Sequence, residues 1–224
     1  KFTSQIIEKL MKPSLITLII VIFSLRACAQ KQEKATPEID VGGNCEGCEA
    51  IFESPVPFNE LNWIDTLPGF DEPGQKLAIS GSVFKLDGKT PAASIVLYVY
   101  HTNQKGIYPN KGDENGWGKR HGYLRGWIKT NNSGQYKFYT LIPASYPNSN
   151  NPKHIHITIK EPGKNAYWID DFLFGEDPLL SRELRNKNNF RGGNGILSTS
   201  HQKGIMIARR DIILGENIPG YPKE

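Results

Sequence analysis

The run His154-Ile155-His156-Ile157-Thr158-Ile159-Lys160 constrains this chain more than any other segment. Apolar and polar residues alternate strictly along it, and period-2 alternation is the mark of a half-buried β-strand. Ile155, Ile157 and Ile159 must share the face that fills a core. His154 and His156 share the opposite face, roughly 7 Å apart at Cα from the strand rise. Two imidazoles so placed can converge on one metal ion. They can also be two exposed histidines on an ordinary amphipathic strand, and the pair alone leaves both readings open.

Other segments repeat the strand signal. Leu77–Lys85 alternates and ends at Asp87-Gly88, a turn dipeptide. Ser94–His101 is rich in Ile, Val and Tyr. Leu124–Thr130 leads through the turn Asn131-Asn132-Ser133-Gly134 into a returning strand at Gln135–Thr140. Tyr167–Phe174 and Gly204–Leu214 are the last candidates, separated by an Asn/Arg/Gly-rich loop at 185–203. With 22 glycines and 15 prolines and no long helical period, the 224-residue chain reads as an all-β sandwich over 77–224. Residues 45–76, marked by Pro55, Pro57, Pro68 and Pro73, read as an irregular arm around it.

The formal charge of +4 is concentrated at the start, where Lys1, Lys9, Lys12 and Arg26 face only Glu8. The rest is close to neutral and carries no dense basic block, so no nucleic-acid partner is expected. Met11-Lys12 followed by the apolar run Leu15–Phe23 reads as an export signal, too short for a comfortable membrane span. Leu25-Arg26-Ala27-Cys28 is similar to a lipobox, in which Cys28 would be lipidated and tether the protein to a membrane. The alternative is cleavage after Ala27-Cys28-Ala29, which frees the protein. Both make 1–29 an address, followed by a polar tether over 30–44. Cys45 and Cys48 lack the βαβ context of a redox motif and the second ligand pair of a zinc site. A local disulfide suits an exported protein.

Tyr146 stands eight residues before His154, within Pro143-Ala144-Ser145-Tyr146-Pro147, and Tyr108 lies within Gly106-Ile107-Tyr108-Pro109. Both sit at Gly/Pro-marked strand exits, where site residues gather. Tyr98, Tyr100, Tyr136 and Tyr139 lie inside strands and are expected to pack. His101 and His121 are rival ligands, and His201 lies in a loop without a supporting motif.

Read in order, Gly81-Ser82-Val83, Leu124-Arg125-Gly126-Trp127, Ser133-Gly134-Gln135-Tyr136, Pro143–Pro147, His154–Ile157 and Phe172–Pro178 resemble the intradiol ring-cleavage dioxygenases, the family of protocatechuate 3,4-dioxygenase and catechol 1,2-dioxygenase. The resemblance spans about residues 77–178. It implies a β-sandwich holding non-haem Fe(III) through Tyr108, Tyr146, His154 and His156. Tyr146 falls on the tyrosine that leaves when catechol binds, and Tyr108 on the one that stays. The implied reaction uses O2 to cleave a small aromatic diol between its hydroxyls. Phenolates are hard anionic donors suited to a hard ferric ion, and coordination holds them deprotonated despite a free pKa of about 10.

Two implied site positions differ from the family. Asn151 stands where an arginine precedes the His-x-His, and it donates hydrogen bonds without charge. A glutamine position of the following strand falls near Asp170. Lys153 shares the face of Ile155, away from the histidines, leaving Arg125 or Arg191 as cations that would have to arrive from elsewhere. An exported iron- or ligand-binding module without turnover is the alternative that these differences leave open.

Overall fold

The computed structural model describes residues 37–187 and 189–223. The expected signal segment, Cys28 and the first half of the tether lie outside the described residues.

The described residues hold eleven strands: β1 Ile64–Thr66, β2 Lys76–Phe84, β3 Val96–His101, β4 Arg125–Lys129, β5 Gln135–Leu141, β6 His154–Lys160, β7 Tyr167–Trp168, β8 Phe172–Phe174, β9 Ile196–Gln202, β10 Ile205–Arg209 and β11 Ile212–Ile213. Their hydrogen-bonded order is β1-β5-β2-β10-β9-β8-β6-β3-β4, with β11 beside β2 and β7 beside β6. β9 joins the two halves. Its first residues, Ile196 and Leu197, pair with β8 in parallel, and Ser198–Gln202 pair antiparallel with β10. On the far side the amide of Lys129 donates to Asn62 O at 3.0 Å, drawing β4 towards the β1 end. The sheet therefore nearly closes on itself, as the expected all-β class allows.

Alternation decides what lies between the halves. Leu77, Ile79 and Phe138 point in from β2 and β5, and Leu97, Val99, Ile155, Ile157 and Ile159 point in from β3 and β6. The outer face of β3 and β6 carries Tyr98, Tyr100, His154 and His156. Gly81 has a packing reason: a Cβ there would sit 1.7 Å from the carbonyl oxygen of Arg210.

The arm is more ordered than an irregular reading implies. It forms 3-10 turns at Cys48–Glu53 and Phe58–Glu60, then β1, which pairs parallel with β5. Ala50 and Ile51 are buried against Val96, Tyr98 and Trp127 on the outer face, and the Trp127 indole donates to Ile51 O at 2.8 Å. Cys45 and Cys48 form the expected disulfide. The tether reading fails for its second half. Val41 is 1% exposed, its amide donates to Asn165 Oδ1 at 2.6 Å, and Ile39 bridges to Lys164.

Three strand expectations change. The loop expected at 185–203 contains β9, whose side chains are mostly exposed and so give no apolar period. Gly204–Leu214 divides at Arg210-Asp211. Tyr167–Phe174 divides around a β-bulge. Thr158 pairs with Trp168 and Ile155 with Phe172, so three residues, Ile169 to Asp171, oppose only His156 and Ile157. The Asp170 amide turns away to Arg191 O at 3.1 Å. Such a bulge bends a strand and re-aims its side chains.

Candidate metal centre

β6 supplies two imidazoles on one face, as its alternation requires. The antiparallel pairing of β3 with β6 sets Tyr100 directly opposite His156, and the two rings stack with centroids 4.6 Å apart. His154 Nε2 and His156 Nε2 lie 3.1 Å from each other.

The two candidate tyrosines arrive on loops that lock together. Thr102 Oγ1 donates to Ala144 O at 2.6 Å, and the Ala144 amide donates to Asn103 O at 3.1 Å. Gly106 lies against Ser145, so close that a Cβ would stand 2.0 Å from the Ser145 carbonyl oxygen; its φ of +74° also favours glycine. This contact brings Tyr108 Oη to 2.8 Å from His156 Nε2. Tyr146 Oη lies 3.2 Å from His156 Nε2 and 3.1 Å from His154 Nε2. The two tyrosine hydroxyls are themselves in hydrogen-bond contact. All four sequence-predicted donors therefore converge.

The far nitrogens of both rings are occupied. His154 Nδ1 faces Pro152 O at 2.8 Å, and His156 Nδ1 faces Asp171 Oδ1 at 3.1 Å. An Nδ1–H donating to each oxygen leaves the lone pair on Nε2. Two lone pairs 3.1 Å apart repel unless a cation lies between them. Edges of about 3 Å are also what four donors at roughly 2 Å from one ion produce. The donor set of two phenols and two imidazoles, with a carboxylate behind one imidazole, thus fits a ferric ion.

The protonation states agree. Burial, then the bond to Tyr146, pushes the Tyr108 hydroxyl far above its ordinary pKa, and burial also raises Tyr146. Only a bound cation would hold them as phenolates. Burial, reinforced by His156, lowers His154, keeping it neutral and able to ligate. Burial alone would raise Asp171, but its contact with His156 outweighs that and holds the carboxyl below its ordinary range.

The rival histidines lie elsewhere. His101 points into the core, with its ring nitrogens on Thr102 O at 2.7 Å and Thr140 Oγ1 at 2.6 Å. His121 binds Tyr98 Oη at 2.9 Å and stacks on Tyr100. His201 is exposed on β9.

A cavity of about 450 Å³ opens beside the cluster, with Tyr146, His154 and His156 on its wall. Asn151 and Asp170 line it too. Lys153 points away to Glu176, at 3.3 Å, as its place in the alternation predicts. Arg125 pairs with Glu53 at 2.7 Å, and Arg191 stacks on Trp168 while donating to the carbonyls of Gly42 and Trp168. Neither lines the cavity. The carboxylate that touches a histidine is Asp171, not Asp170. Sequence reasoning missed it because the bulge, which has no signature of its own, shifts the register by one residue.

A family model described as Dioxygenase matches residues 59–191. Protocatechuate 3,4-dioxygenase beta chain of Burkholderia cepacia is 28% identical over 114 residues, covering 48% of this chain and 48% of that one. Catechol 1,2-dioxygenase 1 of Acinetobacter lwoffii is 33% identical over 126 residues, covering 49% of this chain and 39% of that one. The chain thus spans half or less of the length of these relatives. The structure of 3-chlorocatechol 1,2-dioxygenase from Rhodococcus opacus 1CP aligns with a TM-score of 0.53 at 20% identity, over 67% of this chain and 64% of that one. At that identity the likeness speaks to the fold.

Proposed function

This chain belongs to the intradiol ring-cleavage dioxygenase family, and we propose that it is a non-haem ferric enzyme cleaving catechol-type rings between their vicinal hydroxyls. The observation that carries this reading is the convergence of Tyr108, Tyr146, His154 and His156 at the wall of an open cavity.

Tyr108 Oη, Tyr146 Oη, His154 Nε2 and His156 Nε2 would hold the ion. When bound, ferric iron would accept both oxygens of the deprotonated diol and make its ring carbons reactive towards O2. The protein groups divide the remaining work. Tyr146 stands on the cavity wall, so its oxygen is the one that an incoming diol meets first. Its raised pKa makes that oxygen, once free of a cation, a good acceptor for a diol proton. Tyr108 does not line the cavity and stays as a fixed donor. Asp171 and the Pro152 carbonyl keep each Nδ1 protonated and each imidazole aimed. Asn151 offers the substrate a neutral amide donor in place of a charge.

The overall change is one diol plus one O2 to one ring-opened diacid, with both oxygen atoms retained in the product. Oxygen uptake matched mole for mole by diacid, with label from 18O2 in both new carboxyl groups, is the expected result. Catechol binding without oxygen uptake would favour the binding-module reading, which the uncharged Asn151 supports.

We also propose export, with residues 1–29 as the address and Cys28 as a lipid anchor. The Cys45–Cys48 disulfide fits an oxidising compartment. Among the described residues no helix is long and apolar enough to cross a membrane. Palmitate labelling that disappears in Cys28→Ser would support the anchor, and its absence from the native protein would exclude it.

A further inference from the structure

We infer that the cavity selects catechols carrying an uncharged, apolar ring substituent and discriminates against carboxylated ones; this rests on the ring-cleavage reading above. A cavity of about 450 Å³ has more room than a single aromatic ring fills. The rest of its wall includes Trp168, Ile169, Leu173, Leu180 and Leu184, an apolar surface that begins beside the donors, where Leu173 pairs across the sheet with His154. A ring held at the donors would project its substituent onto that apolar wall.

The charges on the wall point the same way. Asp170 and Asp171 both line the cavity. Arg210, buried behind the bulge, donates through Nη1 to Asp170 O at 2.5 Å. It offsets part of their charge from behind but is not on the cavity wall. Lys187 is the cation that lines the cavity among the described residues. It is exposed and already ion-paired with Glu183 at 2.6 Å. A substrate carboxylate would therefore lose water, face two acids and gain no uncompensated cation. An ammonium group would be drawn to the acids but would lose water against the apolar residues that share the cavity. An uncharged alkyl group avoids both costs.

The test is anaerobic calorimetry on the iron-loaded protein with catechol, 4-tert-butylcatechol, 3,4-dihydroxybenzoate and dopamine. The expected result is 4-tert-butylcatechol binding at least tenfold tighter than either charged analogue. Leu184 is partly exposed on the short helix Arg182–Lys187, so Leu184→Arg is expected to keep the native melting profile. It should narrow the gap between 4-tert-butylcatechol and 3,4-dihydroxybenzoate by tenfold or more. Tightest binding of either charged analogue by the native protein, or an unchanged gap in Leu184→Arg, overturns the selectivity while leaving ring cleavage standing. An iron-loaded protein that binds none of the four overturns both.

Discussion

Two residues outside the ligand set decide whether the four donors meet. Gly106 lets the Tyr108 loop lie on the Tyr146 loop, and any side chain there collides with the Ser145 carbonyl. The left-handed conformation alone costs an alanine about 1 kcal/mol, and the collision adds to it. Gly106→Ala should therefore lower the melting temperature and weaken ferric affinity more than tenfold, as read by chelator competition. Unchanged affinity would mean that the loop contact does not position the tyrosines. Asp171 acts through His156. Loss of such a carboxylate partner weakens metal binding by roughly 10- to 100-fold, and Asp171→Ala should fall in that range without loss of fold. An equal loss in Asp170→Ala, with none in Asp171→Ala, would reverse the assignment.

At the scale of elements, β6 was legible because its period, its histidine spacing and its isoleucines all state one thing. The tyrosines were legible through Gly/Pro punctuation and the resemblance, not through any periodicity. The bulge at Ile169 to Asp171 was not legible, because a bulge is a relation of register between two strands and neither strand records it alone. β9 escaped for a different reason: it pairs with a neighbour on each side yet buries almost nothing but Leu197. The arm escaped because its 3-10 turns are short and set among prolines that read as loop, although Ile51 is fully buried against the outer face. Ile51→Ala should cost about 2–5 kcal/mol in denaturant unfolding, comparable to a core residue of a sheet. A cost below 1 kcal/mol would show the arm to be an appendage.

The molecule as a whole keeps its core and its site on opposite faces of the same strands, and each face buries a histidine that makes the fold sensitive to acid. His101 is fully buried between the two halves of the sheet, and burial lowers its pKa to about 4. The unfolded chain binds that proton near pH 6.5 and the folded chain only near pH 4. Stability contributed by neutral His101 is thus complete above pH 6.5 and falls as pH drops towards 4, by on the order of 3 kcal/mol. His121, also lowered to about 4 by burial, acts in the same direction. His101→Gln should flatten the pH dependence of unfolding by about one proton between pH 4 and 6.5, and an unchanged slope would contradict the buried neutral state.

Ferric titration of the purified protein, followed by visible absorption, shows whether Tyr108, Tyr146, His154 and His156 together hold one ferric ion. One ion per chain and a tyrosinate-to-iron charge-transfer band are the expected result. That band should shift or weaken in Tyr108→Phe and in Tyr146→Phe, and His154→Ala or His156→Ala should abolish stoichiometric binding. A colourless protein that takes up no iron, or a band indifferent to both tyrosines, would contradict that ligand set.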